Sequence, residues 1–377
     1  MKKIHLIHVV ESSKRHTWFE KLVDHLGRNT FSQSVVTLET RGELNDHLSH
    51  SAIDAFSPVS NSRVLGLIEA VRKVRRARKE SYINFLILHG HRAAIVGVIA
   101  ALTANLNFGV IHHVQPKYFQ LLRSQKPIRG FIHQRIYRYY IRHAKIVQAL
   151  SREVSESLIS LGCNPERIVS IGHGVDFEEF KRSLESESNQ LPLRTGFPRI
   201  LMVGRLAWEK NYPLAIEVFA DLCHSYPEAQ LLIAGTGPLE DEIKSLLVKW
   251  DLFENVSLLG RVENVPKLMA NSDLLLHLAM TESYGQVYIE SCLAGLPIFT
   301  FRTGIAIDLS EESDPLVHLL SSRDPKGISD QIERFLSSST KTSHASSLLR
   351  NDYRKHDQRV VFQEMADYLT RLVPESE

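Results

Sequence analysis

The chain has 377 residues, 43% hydrophobic and 23% charged, with 19 Gly and 14 Pro, the proportions of a globular protein of about two domains, which excludes collagenous, mucin-like and disordered classes. Lys and Arg number 45 against 43 Asp and Glu, a net of +2, too even for a dedicated nucleic-acid binder, whose basic excess runs through its whole domain. Residues 1–190 nevertheless hold 27 basic and 17 acidic side chains, net +10, and residues 191–377 hold 18 and 26, net −8, so two oppositely charged domains are expected.

The start, Met1-Lys2-Lys3 before the short run Ile4 to Val10, contains His5 and His8 and meets Glu11 at once, a poor signal peptide and a good first strand. Apolar strand-like runs then alternate with helical stretches, the pattern of parallel sheets covered by crossover helices. In the first half the strands fall at Ile4 to Val10, Ser34 to Leu38, Ile83 to Leu88, Val110 to His113, Ile146 to Leu150 and Ile168 to Ile171. Ser183 to Leu193 is polar and Ser/Glu-rich and reads as a linker. A second series follows at Arg199 to Val203, Gln230 to Ala234, Val256 to Leu259, Leu274 to Leu278 and Ile298 to Phe301, with helices after the first four. Gln358 to Leu372 has helical spacing in Val361, Phe362, Met365, Tyr368, Leu369 and Leu372. The expected domains are 1–185, rejoined by the C-terminal helix 356–373, and 194–355. Such doubly wound α/β sheets bind ligands at the carboxyl edges of their strands, here across a cleft between the two domains.

No window approaches the roughly 18 apolar residues of a membrane span. Cys163, Cys223 and Cys292 stand far apart with no CxxC pair, so neither a disulfide framework nor a zinc knuckle is expected, and a reducing cytoplasm fits.

Three stretches of the second half carry chemistry. Val203-Gly204-Arg205-Leu206-Ala207-Trp208-Glu209-Lys210-Asn211 leaves a strand and enters a helix. The glycine lets backbone approach a ligand, and Arg205 and Lys210 can converge on one anion such as a phosphate, a solvated pair of loop charges being the alternative. Ala234-Gly235-Thr236-Gly237-Pro238 is a fragment of a dinucleotide-type turn without its third glycine, or a plain tight turn. In the third stretch, Glu282 follows a strand, Ser283, Tyr284 and Gly285 expose N–H groups where a helix begins, and Glu290 lies on that helix. Free N–H groups and a helix dipole suit a phosphate, and flanking carboxylates accept hydrogen bonds from sugar hydroxyls. One capping and one solvated carboxylate is the alternative.

Together with LLGRV at 258–262 and SDLLLHLAMTESYGQVYIESCLAGLPI at 272–298, these stretches resemble the retaining GT-B glycosyltransferases of family four, the group 1 transferases. The resemblance implies a nucleotide-sugar donor on the second domain: Gly204 and Gly235 in its turns, Arg205 and Lys210 on the diphosphate, and Glu290 on the ribose. It puts Glu282 on the transferred sugar, backbone of Ser283, Tyr284, Gly285, Gln286 and Val287 on phosphate and sugar, and Arg261 and Val262 around the base. It implies an acceptor, saccharide or lipid-linked, on the first domain, and places His113 at the reacting sugar, with His112 or a core histidine as alternatives. His89 and His91 resemble the family's HxH-type strand end; a metal role lacks a third ligand. No DxD occurs, so no divalent metal and no other cofactor is expected, and cationic side chains and the helix dipole stabilise the leaving diphosphate.

The match departs in three places. The family's glycine-rich first turn reads Val10-Glu11-Ser12-Ser13-Lys14-Arg15-His16, where Ser hydroxyls and Lys14 or Arg15 would have to substitute; His173 replaces an asparagine before Gly174-Val175-Asp176; and Ile305 and Asp308 replace Gly and Glu after Gly304. Separately, Ser81 to Ser151 has no Asp or Glu, and Arg72, Lys73, Arg75, Arg76, Arg78 and Lys79 precede it. This suggests peripheral attachment to an anionic membrane, against a solvated basic face or a polyanionic soluble acceptor.

The expected reaction is hexosyl transfer from a UDP- or GDP-sugar to a hydroxyl, with retention, in bacterial cell-surface polysaccharide, lipopolysaccharide or glycolipid assembly. A non-catalytic GT-B partner of another transferase and a GT-B sugar-nucleotide epimerase are the alternatives. Nucleic acid is not expected as a partner, because the basic half lacks a helix-turn-helix or an aromatic RNA-binding motif.

Overall fold

The computed structural model describes the chain except residues 1–2, 15, 29–30, 52, 61, 112–118, 120–121, 125, 187–195, 313, 339–350 and 372–377. The chain forms two compact units, Met1–Gly172 with Arg359–Glu377, and His173–Gln358. Among the described residues no helix is long and apolar enough to cross a membrane.

The first unit alternates β1 (Ile4–Val10), α1 (Thr17–Arg28), β2 (Ser32–Thr37), α2 (Glu43–Ser49), β3 (Asp54–Phe56), α3 (Arg63–Arg76), β4 (Ile83–His89), α4 (His91–Ala104), β5 (Asn107–Ile111), α5 (Pro127–His143), β6 (Ile146–Ala149), α6 (Arg152–Ser160) and β7 (Ile168–Ser170). Its seven strands are parallel in the order β3-β2-β1-β4-β5-β6-β7. Strands covered on both faces read as near-continuous apolar runs, and alternate side chains go to opposite layers. Ile7 and Val9 of β1 join Leu86, Leu88 and α5's Tyr137 and Tyr140 on one face. Leu6 and Val10 join Trp18, Phe19 and Leu22 of α1 on the other. β1 also buries two histidines with partners. His8 Nε2–H donates to Gln33 Oε1 at 3.1 Å, and His5 Nε2 lies 2.8 Å from the Ala77 carbonyl oxygen.

The second unit opens with α7 (Phe177–Glu185) and continues β8 (Arg199–Val203), α8 (Tyr212–Ser225), β9 (Gln230–Ala234), α9 (Glu240–Lys249), β10 (Val256–Gly260), α10 (Val265–Ala270), β11 (Leu274–His277), α11 (Gln286–Ala294), β12 (Ile298–Thr300), α12 (Ala306–Glu311), β13 (Val317–Leu319) and α13 (Pro325–Ser338). Its six parallel strands run β10-β9-β8-β11-β12-β13 around one core that includes Ile200, Met202, Phe219, Leu276 and Phe299. Helix α14 (Gln358–Arg371) returns to the first unit, where Val361, Phe362, Met365 and Leu369 pack with α1. The Phe362 ring meets Trp18 edge-on at 5.2 Å.

Several expectations are corrected. The division falls after Gly172, ahead of the boundary expected at 185, because the chain from α7 onward is tied to the second unit: Asn264 Nδ2 donates to the Ser183 carbonyl at 2.7 Å and to Ser186 Oγ at 2.8 Å. The expected linker begins inside α7 through Ser183–Glu185, and 187–193 lie outside the described residues. β5 starts at Asn107, where Phe108 and Gly109 pair with Leu86 and Ile87, and ends at Ile111; His112 and His113 lie outside the described residues. β3 and β13 are three-residue edge strands too short to show a period, and α12 adds a helix after β12.

Candidate functional site

In each sheet the strand order reverses once, between β1 and β4 in the first unit and between β8 and β11 in the second. The loops leaving the two strands at such a point diverge and open a crevice at the carboxyl edge. In the second unit those loops are 204–211 after β8 and 278–285 after β11, which hold most of the charged residues singled out from sequence. Turn and glycine chemistry bring them close. Gly204 N–H donates to the Ala234 carbonyl at 3.0 Å, and Gly235 N–H to the Gly260 carbonyl at 2.7 Å. A Cβ on Gly235, at φ +153°, would lie 1.9 Å from the Gly204 carbonyl oxygen, so only glycine fits where these turns touch. Arg261 and Val262 follow Gly260 on the same edge, Arg261 exposed.

The charged groups are paired differently from a free cationic pair. The Arg205 guanidinium, 65% exposed, donates to Glu209 Oε1 at 2.7 Å. Lys210 Nζ instead meets Glu282 Oε1, and both side chains are mostly buried. His277, at the end of β11 and 4% exposed, donates from Nε2–H to the same oxygen at 2.9 Å. Burial by itself would raise the Glu282 carboxyl, but the His277 hydrogen bond and the Lys210 charge hold it down at about 2, so it is ionised at all ordinary pH. Burial pushes His277 below the usual imidazole value, and the ionised Glu282 oxygen, which can only accept, makes Nε2 the donor. The ring lies edge-on to Tyr288 at 5.2 Å, and the Tyr288 hydroxyl is tied to Thr303 at 2.9 Å and Thr300 at 3.1 Å. The loop is also pinned by backbone, Met280 N–H to the Glu209 carbonyl at 2.8 Å and the Tyr212 hydroxyl to the Gly204 carbonyl at 3.0 Å.

Helix α11 begins beside this cluster. Its N-cap is Gly285 at φ +84°, and no side chain caps it, so the first N–H groups, from Gln286 and Val287, face outward with the positive end of the dipole. Gln286 Nε2 donates to the Gly174 carbonyl at 2.9 Å, and the Tyr284 hydroxyl lies 2.9 Å from His356 Nδ1. Ile305, in place of the expected glycine, fits because its N–H donates to the Tyr284 carbonyl at 2.9 Å while its side chain is buried. Ser283 precedes the N-cap, and Glu290, one turn into the helix, is half-buried. It makes no hydrogen bond or ion pair among the described residues, and burial alone pushes its carboxyl up to about 7. A desolvated, unpaired carboxylate is a strong acceptor for hydroxyl donors.

The corresponding crevice of the first unit is acidic. Glu11 Oε1 accepts the Arg92 N–H at 2.7 Å at the start of α4. Glu39 Oε2 takes the Ser12 hydroxyl and the Ser13 N–H, both at 3.1 Å. The Ser12 hydroxyl that would substitute for glycine in the first turn is therefore already engaged, and Arg15 lies outside the described residues. His89 and His91 join two separate pairs: His89 Nε2 to His8 Nδ1 at 2.9 Å, and His91 Nε2 to His133 Nδ1 at 2.8 Å. No group of three metal-ligating side chains occurs among the described residues.

Sequence reasoning overlooked His277 as a partner of Glu282. The signal was a polar residue closing the apolar strand LLLH, five positions before a glutamate.

Two family models tile most of the chain: glycosyl transferases group 1 over residues 184–353, and glycosyltransferase family 4 over residues 17–179. The phosphatidylinositol N-acetylglucosaminyltransferase gpi3 subunit of Schizosaccharomyces pombe is 26% identical over 166 residues, 44% of this chain and 35% of its own. N-acetyl-alpha-D-glucosaminyl L-malate synthase of Bacillus anthracis is 24% identical over 257 residues, 67% of this chain and 66% of its own. The chain thus spans about a third to two thirds of the length of these curated relatives. Among solved structures, HepE of Anabaena, crystallised with UDP and glucose, superposes with a TM-score of 0.75 over 97% of this chain and 99% of that one, at 19% identity.

Proposed function

The chain belongs to the group 1, family-four glycosyltransferases and has their GT-B fold, and we propose that it moves a sugar from a UDP- or GDP-sugar to a hydroxyl acceptor with retention at the anomeric carbon. One observation carries this reading. The β8/β11 switch point gathers a cation, an ionised carboxylate, an uncapped helix N-terminus and an unpaired half-buried carboxylate on one sheet edge.

In this reading the diphosphate lies against the α11 N-terminus, with Lys210 and Arg205 drawn to it from their carboxylate partners. Glu282, oriented by His277, accepts hydroxyls of the transferred sugar, and Glu290 accepts the ribose hydroxyls. Gly204 and Gly235 give the ligand access to backbone, and Arg261 and Val262 flank the base. The acceptor hydroxyl attacks from the face the diphosphate leaves, its proton going to the departing phosphate oxygen, and the family resemblance assigns His113 to the reacting sugar. Negative charge on the leaving group is met by side chains and the helix dipole, so transfer is expected to be unchanged in a chelator. HepE's UDP and glucose support a nucleotide-sugar donor, and the S. pombe relative's name supports a lipid-linked acceptor. Assembly of a cell-surface polysaccharide, lipopolysaccharide or glycolipid in the cytoplasm fits both.

Thermal-shift titration with UDP-, GDP- and ADP-sugars tests it: a cognate donor raises the melting temperature as RT ln(1 + [L]/Kd) requires, and Glu290→Ala removes the shift. A stabilising sugar nucleotide that is isomerised and never transferred would overturn the transferase reading.

A further inference from the structure

The amino edge of the first sheet, the end away from the crevice loops after β1 and β4, holds a polar cluster that the donor site does not use. β1 and β2 run in parallel register there, with His5 opposite Ser32. His5 is fully buried, whereas Ser32, the first residue of β2, is only half-buried, so solvent reaches it.

The geometry assigns the protons of this cluster. His5 Nε2 lies 2.8 Å from the Ala77 carbonyl oxygen, which can only accept, so Nε2 carries the hydrogen. The buried Ser34 hydroxyl oxygen shares that hydrogen at 3.1 Å. Burial first, and then the Lys79 charge, lower His5 from the usual imidazole value of 6.5, so above that pH the ring is neutral and Nδ1 keeps a bare lone pair. Ser32 Oγ lies 2.9 Å from that nitrogen and donates its hydroxyl hydrogen to it.

Lys79 approaches the same oxygen. Its Nζ donates to Ser32 Oγ at 2.9 Å and lies 5.7 Å from the centre of the Tyr82 ring. Asn84 fixes the backbone that carries it, accepting the Lys79 N–H and donating to the Lys79 carbonyl, both at 2.9 Å. Lys79 forms no ion pair among the described residues, which leaves its charge uncompensated beside the serine oxygen.

A hydroxyl bonded to a neutral imidazole, whose second nitrogen is anchored by a third group, is the arrangement that activates a serine, and a cation on the oxygen lowers the cost of removing its proton. From this geometry we infer that Ser32, His5 and Lys79 form a nucleophilic centre that takes an acyl group from an activated ester or thioester, a modification site separate from the transferase reaction. Oγ attacks the carbonyl carbon as its proton passes to His5 Nδ1. The bond to the leaving alcohol or thiol then breaks, the leaving group takes the electron pair and the proton held on Nδ1, and Ser32 remains as an O-acyl ester.

The test treats the full chain with p-nitrophenyl acetate at pH 7.5 and maps acetyl groups by peptide mass spectrometry, with alkaline hydroxylamine separating labile serine esters from stable lysine amides. Ser32 is expected to acetylate about a hundredfold faster than the exposed Ser49, whose hydroxyl only donates to the Asp46 carbonyl. Ser32→Ala loses the labile adduct and leaves the donor-induced thermal shift unchanged. His5→Gln can still donate to Ala77 but is no base, and slows acetylation about a hundredfold. If circular-dichroism melts show that this buried variant does not fold, Lys79→Met, at a half-buried position, takes its place with a slowing of about tenfold. Acetylation of Lys79 in place of Ser32, a Ser32 rate no greater than that of Ser49, or a rate that the folded variant leaves unaltered would each overturn the inference and reduce the cluster to a polar seal on the sheet edge.

Discussion

At the residue scale, the two glutamates of the second unit occupy opposite electrostatic situations. Glu282 is held ionised by His277 and Lys210, whereas Glu290 is desolvated with nothing to compensate it. A carboxyl raised by the fold contributes stability below its ordinary value near 4.5 and loses it as pH rises through about 7. Glu290→Gln should therefore unfold at higher urea than wild type at pH 8, by on the order of 1–2 kcal/mol, and match it at pH 4.5. In the wild type, donor affinity should rise between pH 5 and pH 7.5 as Glu290 ionises, a dependence that calorimetric titration at the two pH values would read and that the Gln variant should lack. His277 acts through Glu282: His277→Leu removes a hydrogen bond to a charged group, about 1.5–3 kcal/mol, or roughly tenfold to a hundredfold in transfer rate. His277→Gln can still donate and should recover most of it. An unaltered rate in the Leu variant would show that Lys210 alone orients the carboxylate.

At the element scale, the donor edge is built from turns that admit no side chain. Gly235→Ala would force a Cβ into the Gly204 carbonyl from a conformation rare for other residues. A loss of about 1–3 kcal/mol or more follows, measurable by thermal melting, together with loss of the donor-induced shift. Helix α14 shows how an amphipathic segment obtains its meaning from elsewhere. Its stripe was legible as helix from spacing, but the partner, α1 of the first unit, lies more than 330 residues away in the chain. Phe362→Ala should cost about 3–5 kcal/mol, because the ring fills the space against Trp18 and leaves a cavity when removed.

At the scale of the whole molecule, the chain leaves the first unit after Gly172, builds a second, and returns at Arg359. The first unit is therefore incomplete without the last helix. A chain ending at residue 357 should retain the second unit and expose the Trp18 and Phe19 face, so that limited proteolysis leaves a stable fragment beginning near His173 while the first unit is digested. A first unit as resistant as in the full chain would contradict this packing.

The strands were legible because a parallel sheet covered on both faces demands unbroken apolar runs, and β1, β8 and β9 begin and end where those runs do. The edge strands β3 and β13 were not, since DAF and VHL are broken by a charge and a histidine, whereas the equally short β7 and β12 lie in the apolar runs Ile168 to Ile171 and Ile298 to Phe301. The order of motifs along the second half, GRL with EKN, AGTGP and the glutamate pair, was enough to indicate the family, because each needs a particular residue type at a strand's carboxyl end. Sequence alone could not assign partners to the charges. Arg205 and Lys210 bond to Glu209 and Glu282, and Glu11, in the turn where the family has glycine, accepts the Arg92 N–H at the start of α4. Composition and local pattern determined which elements form and which residue types stand at the sheet edges, since those depend on neighbours a few positions apart. Which charge meets which, how far each is desolvated, and where the last helix docks were decided by tertiary structure, because such contacts join residues tens to hundreds of positions apart and their energies depend on the surrounding burial.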